Sequence, residues 1–173
     1  AVSPNFASDR TVFAGLNPSG GVYRSTDAGS TWTAVNSGLP SQNIAALAIS
    51  PDYANDHMVL VTCWDGGVYR SVNGGNTWSA ANTGQPNRRP ASGNTLVFSP
   101  GYLTDHTLFY ATCGENTDGG VYRSTNGAQS WELYSDGLGN RFIHHLSLSP
   151  NFVSQPGILA GGELVNGGGL WVR

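Results

Sequence analysis

Apolar side chains occur along this chain in short runs that are separated by turn-forming residues. The runs 45–49 (Ala-Ala-Leu-Ala-Ile) and 96–98 (Leu-Val-Phe) are apolar throughout, which indicates strands buried on both faces. Clusters of Gly, Pro, Asn and Ser lie between the runs, as tight turns require. Gly, Pro or β-branched residues interrupt every stretch within about ten positions, which leaves no candidate for a long helix. The pattern therefore predicts an all-β protein.

Three landmarks repeat along the chain. Ser-Pro pairs begin at Ser3, Ser50, Ser99 and Ser149, which are 47, 49 and 50 residues apart, and an acidic residue follows the first three at a constant offset (Asp9, Asp56, Asp105). A Gly-Gly-Val-Tyr-Arg-Ser run occupies 20–25, 66–71 and 119–124 and returns in altered form at 168–173. A Thr-Trp or Ser-Trp pair follows the first three runs, at 31–32, 77–78 and 130–131.

Each repeat is interpreted as four strands, A to D. Strand A covers 44–50, 94–99 and 143–149; strand B covers 12–15, 59–63, 108–113 and 158–160; strand C is the Gly-Val-Tyr-Arg-Ser run; strand D covers 32–35, 78–81 and 131–134. Four antiparallel strands in about 40–50 residues form a β-propeller blade. We therefore expect a single propeller or propeller fragment over 1–173, with blades at about 1–43, 44–93 and 94–142 and a partial fourth at 143–173.

The two ends of the sequence fall inside predicted blades. Residues 1–4 match 48–51 at the end of a strand A, and residues 169–173 match a strand C. A fourth blade without strand D would leave strand C as an unpaired edge. The sequence thus leads us to expect further blades, or another chain that completes the ring.

The turn between strands C and D, called here the CD turn, has a repeated composition. Its Asp or Asn side chain is expected to accept backbone hydrogen bonds within the turn and to bind no metal, because Asn retains the acceptor but not the charge. The tryptophan is expected to be buried between blades. The predicted turn residues are Ser25, Asp27, Gly29, Thr31 and Trp32; Ser71, Asn73, Gly75, Thr77 and Trp78; and Ser124, Asn126, Ser130 and Trp131, with Ala128 in place of the third glycine.

The first CD turn resembles the Asp box, the bacterial neuraminidase repeat Ser-x-Asp-x-Gly-x-Thr-Trp. The resemblance extends over nearly the whole chain through three turns and four Ser-Pro pairs. It implies a β-propeller similar to those of sialidases, xyloglucan-cleaving enzymes, sortilin-type receptors and photosystem assembly factors. Because these proteins differ in activity, the resemblance indicates the fold and leaves the function open.

Composition removes several function classes. The chain has no lysine, which excludes Schiff-base chemistry, a phosphate-binding P-loop and a Ser–Lys pair. A net charge of −3 argues against a nucleic-acid partner. No apolar run approaches the roughly 20 residues of a membrane helix. No dinucleotide fingerprint or zinc-ligand spacing is present, so we predict no cofactor and no metal.

The candidates for catalysis are few. Arg24, Arg70, Arg123 and Arg173 recur once per blade and are interpreted as structural, although sialidases use three arginines to hold a carboxylate. Glycosidases need two carboxylates at a set separation, and Asp65, Glu115 and Asp118 lie in loops between strands B and C where two blades could bring them together. They are interpreted as solvated loop residues, and no catalytic residue is assigned.

Other chemically notable residues are interpreted as structural. His57 and His106 repeat at a position where the first blade has Arg10, which favours a solvated loop. His144 and His145 are expected to point to opposite faces of one strand. Cys63 and Cys113 are expected to be buried free thiols.

Trp64, in a Trp-Asp-Gly loop, is the one aromatic residue interpreted as a contact for a sugar or a protein. Together these features predict a non-enzymatic extracytoplasmic scaffold or interaction module that binds a protein or glycan through its propeller loops. The alternatives are a fragment of a glycan-active propeller enzyme and an assembly factor of a larger membrane complex.

Overall fold

A computed structural model describes residues 1–64, 66–85, 95–112, 120–135, 141–152, 157–164 and 167–172. For 141–142, 163–164 and 167–172 it describes the backbone alone. The chain divides into two compact units, Ala1–Ala81 and Asn82–Arg173. Each is described separately below as unit 1 and unit 2.

Unit 1 contains two antiparallel sheets. The first has the strand order β1-β2-β3, and the second has the order β4-β5-β6-β7. The strands are β1 Val12–Leu16, β2 Gly21–Ser25, β3 Thr33–Ala34, β4 Ile44–Ile49, β5 Val59–Cys63, β6 Gly67–Ser71 and β7 Ser79–Ala80, and the one-turn helices are α1 Phe6–Asp9 and α2 Tyr53–Asp56. An isolated bridge joins Val2 to Val12 beside the first sheet, where a strand A would lie.

The core of unit 1 forms where these two sheets face each other. Because strand side chains alternate between faces, β5 presents every second residue, Val59, Val61 and Cys63, to the first sheet. The first sheet contributes Phe13, Val22 and Val35, and Trp78 joins the same buried cluster. Burial of apolar surface stabilises the pair by about 25 cal/mol per Å² removed from water.

Unit 2 repeats this arrangement. Its sheets have the strand orders β8-β9-β10-β11 and β12-β13-β14. The strands are β8 Leu96–Phe98, β9 Leu108–Ala111, β10 Val121–Ser124, β11 Glu132–Leu133, β12 Arg141–Leu148, β13 Ile158–Leu164 and β14 Gly167–Val172, and the one-turn helix is α3 Tyr102–Asp105. The buried cluster of this unit joins the two sheets through Phe109, Ala111, Val121, Ile143, Leu146, Phe152, Ile158 and Ala160.

The four strands expected in a repeat are present in the second and third sheets, but strand D is shorter than predicted. Each described strand D pairs over two residues instead of four. In the second repeat the backbone N–H of Trp78 donates to the carbonyl of Ser37 in the preceding repeat, at 2.9 Å, and not to strand β6. The tryptophan thus leaves its own sheet to contact the neighbouring one.

The expected burial of the CD-turn tryptophans is confirmed for two of the three. Trp78 is 6% exposed and Trp131 is 4% exposed, whereas Trp32 is 42% exposed, so the prediction for Trp32 is wrong. Trp78 is covered by the segment that follows strand β3 of the preceding sheet. Among the described residues, no segment lies at the corresponding place beside Trp32.

The alternation expected for the two histidines of β12 is interrupted by a β-bulge. The register shifts between Ile143 and His145, so that His144 is the extra residue. β4 has the same irregularity between Ile44 and Ala46. A bulge re-aims side chains, and strict alternation therefore does not describe His144, which is half-buried, and His145, which is exposed.

Candidate functional site

The first CD turn is a closed set of hydrogen bonds around one carboxylate. Asp27 Oδ1 accepts from the Thr31 backbone N–H at 2.9 Å and from the Ser25 hydroxyl at 2.7 Å, and Oδ2 accepts from the Thr31 hydroxyl at 2.6 Å. The Ser25 oxygen in turn accepts from the Gly29 N–H at 2.8 Å. Every polar group of the motif has a partner inside its own turn, which leaves the carboxylate little capacity for a ligand.

The other two CD turns keep this geometry without the charge. Asn73 Oδ1 accepts from the Thr77 N–H, and Asn126 Oδ1 accepts from the Ser130 N–H, both at 3.0 Å. The side-chain amides of Asn73 and Asn126 donate to the hydroxyls of Thr77 and Ser130 at 2.8 Å. In the first turn the direction is opposite, because the Thr31 hydroxyl donates to Asp27. Ala128, at the glycine position, has a φ of +65°. The arrangement therefore depends on an acceptor and not on a negative charge.

Acidification is expected to weaken the first CD turn selectively. Hydrogen bonds from the Thr31 hydroxyl, the Thr31 N–H and the Ser25 hydroxyl lower the pKa of Asp27 from 3.8 to about 2. A depressed carboxyl pKa contributes stability that is complete above the ordinary value of 3.8 and is lost as pH falls through the folded value of about 2. NMR titration of the Asp27 side chain should show this midpoint.

The matched control is Asp27→Asn, which copies the natural Asn73 turn. This variant should keep the turn, and its free energy of unfolding should decrease less than that of the natural chain between pH 4 and pH 2. An Asp27 midpoint near 4, or an unchanged acid response in Asp27→Asn, would contradict the assignment.

The Ser-Pro landmarks form a second repeated loop that also uses a carboxylate internally. Ser50 donates its hydroxyl to Asp56 Oδ2 at 2.6 Å, and Asp56 Oδ1 accepts from the Met58 N–H at 2.8 Å. Equivalent bonds join Ser3 and Asp9 in the first repeat and Ser99 and Asp105 in the third. The one-turn helices lie inside these loops. The sequence analysis identified the Ser-Pro pairs but did not predict the one-turn helices. The signal for them is a serine followed six residues later by an aspartate, which occurs in the first three repeats.

Arg24 connects two repeats within unit 1. Its guanidinium donates to the carbonyl of Gly74 at 2.7 Å and to Asn76 Oδ1 at 3.0 Å, both in the CD turn of the second repeat. Tyr53 is buried beside this group, and burial raises the pKa of its phenol while the positive charge of Arg24 opposes the rise. The repeated arginine is therefore a structural residue in this repeat and does not face an open carboxylate site.

Removal of the Arg24 side chain should cost more than removal of a surface arginine. Arg24→Met is expected to lower the free energy of unfolding by about 1.5–3 kcal/mol, because a charged donor is lost from a carbonyl and an amide oxygen. Arg123 provides the control: it pairs with the exposed Glu132 and lies 4.8 Å over the ring of Tyr134. Arg123→Met should cost below about 1 kcal/mol. If urea unfolding shows equal decreases in the free energy of unfolding for the two variants, the contact of Arg24 with the second repeat adds no more stability than a surface ion pair.

Trp64 is the predicted binding residue that the structure describes most fully. It follows strand β5, is half-buried, and its backbone N–H donates to the carbonyl of Asn43 at 3.1 Å. Its indole Nε1 is enclosed and has no hydrogen-bond partner among the residues that the structure describes. An unpaired buried donor costs about 1–3 kcal/mol. The ring is therefore less exposed than the sequence suggested.

The remaining sequence candidates fall into two groups. Asp65, Glu115, Asp118, Cys113 and Arg173 lie outside the described residues. The thiol of Cys63 is buried and donates to the carbonyl of Ser41 at 3.6 Å, and His57 and His106 are exposed at the ends of α2 and α3.

The acidic side chains that the structure does describe all have protein partners. Asp9, Asp27, Asp56 and Asp105 are bound within their loops, Asp52 accepts from Asn55, and Glu132 accepts from Arg123. Within the described parts of the chain, no three His, Cys, Asp or Glu side chains are grouped so that they could hold a metal ion. No described helix combines the length and the apolar character needed to cross a membrane.

A family model matches most of the chain. The model of the Sortilin-Vps10 family, described as sortilin, neurotensin receptor 3, matches residues 20–150. This stretch includes all three CD turns. No curated protein matches the chain.

Solved structures similar to the chain are propeller-like at low sequence identity. They include the GH74 xyloglucanase of Xanthomonas campestris (TM-score 0.62, 16% identity, 94% of this chain and 26% of that one). The extracellular domain of a putative one-component system of B. thetaiotaomicron matches with a TM-score of 0.65 and 17% identity, over 95% of this chain and 19% of that one. The extracellular domain of a putative hybrid two-component system of the same organism matches with a TM-score of 0.66 and 11% identity, over 95% of this chain and 20% of that one. This chain thus spans about a fifth to a quarter of their length. The predicted all-β propeller fold is confirmed.

Proposed function

The chain belongs to the Sortilin-Vps10 family of β-propeller proteins, and from this premise we propose that it is a non-enzymatic extracytoplasmic module. In this proposal it binds a protein or glycan partner through its propeller loops. The family description names a neurotensin receptor. Two of the similar solved structures are extracellular domains of sensor systems. These names support an extracytoplasmic, ligand-binding role.

The observation that carries the proposal is the state of the carboxylates. A glycosidase needs one carboxylic acid and one carboxylate directed at the same bond. Each acidic side chain that the structure describes instead accepts a hydrogen bond from a nearby residue, and four of these aspartates do so within a repeated loop. A carboxylate fixed in this way stabilises a loop and is not available to transfer protons.

The loop around Trp64 is the proposed contact. The ring offers a half-buried apolar face, and large aromatic surfaces of this kind make tryptophan common in binding sites. A sequence with 11% charged residues favours contacts through hydrogen bonding and stacking over contacts through long-range electrostatics.

The test is a binding and turnover screen of the purified chain. We expect saturable, non-hydrolytic binding to at least one member of a glycan array or a displayed peptide library. Trp64→Ala should weaken it by about tenfold or more, the loss typical of a central aromatic contact. Trp64→Phe, which keeps a ring but removes the N–H, separates stacking from hydrogen bonding. Leu103→Ala, at a position that is 61% exposed, is the control.

Hydrolysis would overturn the proposal. If xyloglucan or a sialoside is cleaved and the cleavage is abolished by Asp65→Asn or Glu115→Gln, the chain belongs to a glycan-active enzyme. If the Trp64→Ala variant binds with unchanged affinity, the proposed binding function remains but the loop around Trp64 is not the contact surface.

A further inference from the structure

Two of the three CD turns contain an Asn-Gly pair. Asn73 precedes Gly74 in the second repeat and Asn126 precedes Gly127 in the third, whereas the first repeat has an Asp-Ala pair at this place. An asparagine loses its side-chain amide most readily before glycine, because glycine has no Cβ to shield its backbone nitrogen. Both asparagines are exposed and both glycines are buried. The two pairs are therefore candidate sites for a chemical modification, deamidation.

Deamidation passes through a five-membered succinimide ring. The backbone nitrogen of the glycine gives its proton to hydroxide and attacks Cγ of the asparagine. The new N–Cγ bond forms as the Cγ–Nδ2 bond breaks, and the amide nitrogen takes a proton from water and leaves as ammonia. Water then opens one of the two C–N bonds of the ring, which gives aspartate or isoaspartate. The reaction thus needs a glycine N–H that can lose its proton and an asparagine side chain that can turn toward it.

The folded second CD turn opposes both requirements. The Gly74 N–H donates to the carbonyl of His57, the residue that ends α2, at 3.0 Å. Asn73 Oδ1 accepts from the Ser71 hydroxyl at 2.9 Å and from the Thr77 N–H at 3.0 Å, and its Nδ2 donates to the Thr77 hydroxyl at 2.8 Å. Two donors on Oδ1 make Cγ more electrophilic, but the attacking nitrogen keeps its proton while it is bonded to His57. Ring closure therefore requires these bonds to break first.

The third CD turn has the same set of bonds. The Gly127 N–H donates to the carbonyl of His106 at 3.2 Å. Asn126 Oδ1 accepts from the Ser124 hydroxyl at 2.9 Å and from the Ser130 N–H at 3.0 Å, and its Nδ2 donates to the Ser130 hydroxyl at 2.8 Å. The arrangement is thus a repeated feature of the Asn-containing turns.

We propose that Asn73 and Asn126 are deamidation sites that the folded CD turn protects and that local opening of the turn exposes. The aspartate product closes the turn again, because Asp27 makes the equivalent bonds in the first repeat. The isoaspartate product adds a carbon to the main chain and removes one from the side chain, so these short-range bonds no longer fit. An opening that ends in isoaspartate therefore leaves a turn that cannot close.

Trypsin separates the two sites for measurement, because the chain has no lysine and is cleaved only after arginine. The products include peptides 71–88 and 124–141, each of which contains a single Asn-Gly pair. Mass spectrometry of these peptides detects the replacement of an amide by a carboxylate. Electron-transfer fragmentation distinguishes aspartate from isoaspartate.

The first experiment compares the folded chain with the chain unfolded in urea, at the same mildly alkaline pH. Both sites should react at least about tenfold more slowly in the folded chain, because a bonded and buried N–H reacts only when the turn opens. A synthetic peptide of residues 71–88, incubated with and without urea, corrects for the effect of urea on the chemistry. Equal rates at Asn73 and Asn126 in the folded and unfolded chains would overturn the proposal.

The second experiment opens one turn at a time. Thr77→Val removes the hydroxyl that holds Asn73 Nδ2 and should speed deamidation of Asn73 in the folded chain about fivefold, the factor for one ordinary hydrogen bond. Asn126 is the internal control and should keep its rate. Ser130→Ala is the matched variant in the third turn and should have the reverse effect, with Asn126 faster and Asn73 unchanged.

The pattern across the two variants separates local opening from unfolding of the whole chain. If each variant speeds both sites equally, deamidation follows global unfolding and the proposed protection by the turn is wrong. If neither variant changes the rate at its own site, the side-chain bonds do not control the reaction and the proposal is also wrong. Acceleration confined to the altered turn in both variants is the expected result.

Discussion

Replacement of Trp78 by alanine is expected to lower the free energy of unfolding by about 3–5 kcal/mol, the range for large aromatic residues in a core. The ring is 6% exposed and lies in the cluster shared by the two sheets of unit 1. The change also leaves the carbonyl of Val35 without the indole donor that bonds it at 2.8 Å. Urea unfolding followed by far-ultraviolet circular dichroism measures the loss.

Trp32 provides a matched control inside the same molecule. It occupies the equivalent position of the preceding CD turn but is 42% exposed. Trp32→Ala should therefore cost below about 1.5 kcal/mol, since little apolar surface returns to water. Similar losses for Trp32→Ala and Trp78→Ala would mean that the CD turn itself, and not the contact between sheets, sets the contribution of the tryptophan.

Replacement of Gly38 by alanine is the second change with a large expected effect, about 2–6 kcal/mol. Gly38 has a φ of +94°, which costs a residue with a side chain about 1–3 kcal/mol. A Cβ would also lie 2.2 Å from the carbonyl oxygen of Trp78. Because the obstacle is backbone, relief requires the two sheets to separate, and overpacking of this kind adds about 1–3 kcal/mol.

Gly29 separates these two contributions. Its φ is +93°, but the nearest atom to a Cβ there is Trp32 Cζ2 at 3.7 Å, an ordinary contact. Gly29→Ala should therefore show the backbone cost alone, about 1–3 kcal/mol. Thermal unfolding of both variants checks the difference. If Gly29→Ala is as damaging as Gly38→Ala, the close approach of Gly38 to Trp78 is not a determinant of stability.

The two predictions concern the same contact from opposite sides. Trp78 is the residue that docks, and Gly38 is the residue that lets it approach. Their effects should not add in a double variant, because either change disrupts the one interface and coupled neighbours give non-additive losses.

The sequence by itself determined the repeated architecture and the chemistry of its turns. Turn residues act locally: an Asp or Asn side chain reaches backbone N–H groups a few positions away whatever the rest of the chain does. The bonds of Asp27 and Asn73 therefore follow from composition and spacing. The prediction that the apolar runs 45–49 and 96–98 are buried on both faces is wrong. In β4 and β8 only Ala48 and Leu96 of these two runs are buried and the other residues are half-buried, whereas the fully buried strands are β5 and β9.

The sequence did not predict the contacts that a residue makes with the neighbouring repeat. The tryptophans were assigned to full strand D segments, but Trp78 donates its N–H to Ser37 of the preceding repeat. The contact of Arg24 with Gly74 and Asn76 joins residues 50 and 52 positions apart. The bulge at His144 changes the direction of a side chain that alternation had fixed. None of these features has a local signature.

Only the tertiary structure decided which copies of a repeated residue are buried. Trp32, Trp78 and Trp131 occupy equivalent sequence positions, yet the first is exposed and the other two are not. Burial depends on the surface that another sheet provides, and that surface is a property of neighbours in space. The hydrogen bonds of the CD turn recur wherever the motif recurs, so the sequence determined them. Burial of the tryptophan recurs only where a second sheet packs against it, so the tertiary structure decided it.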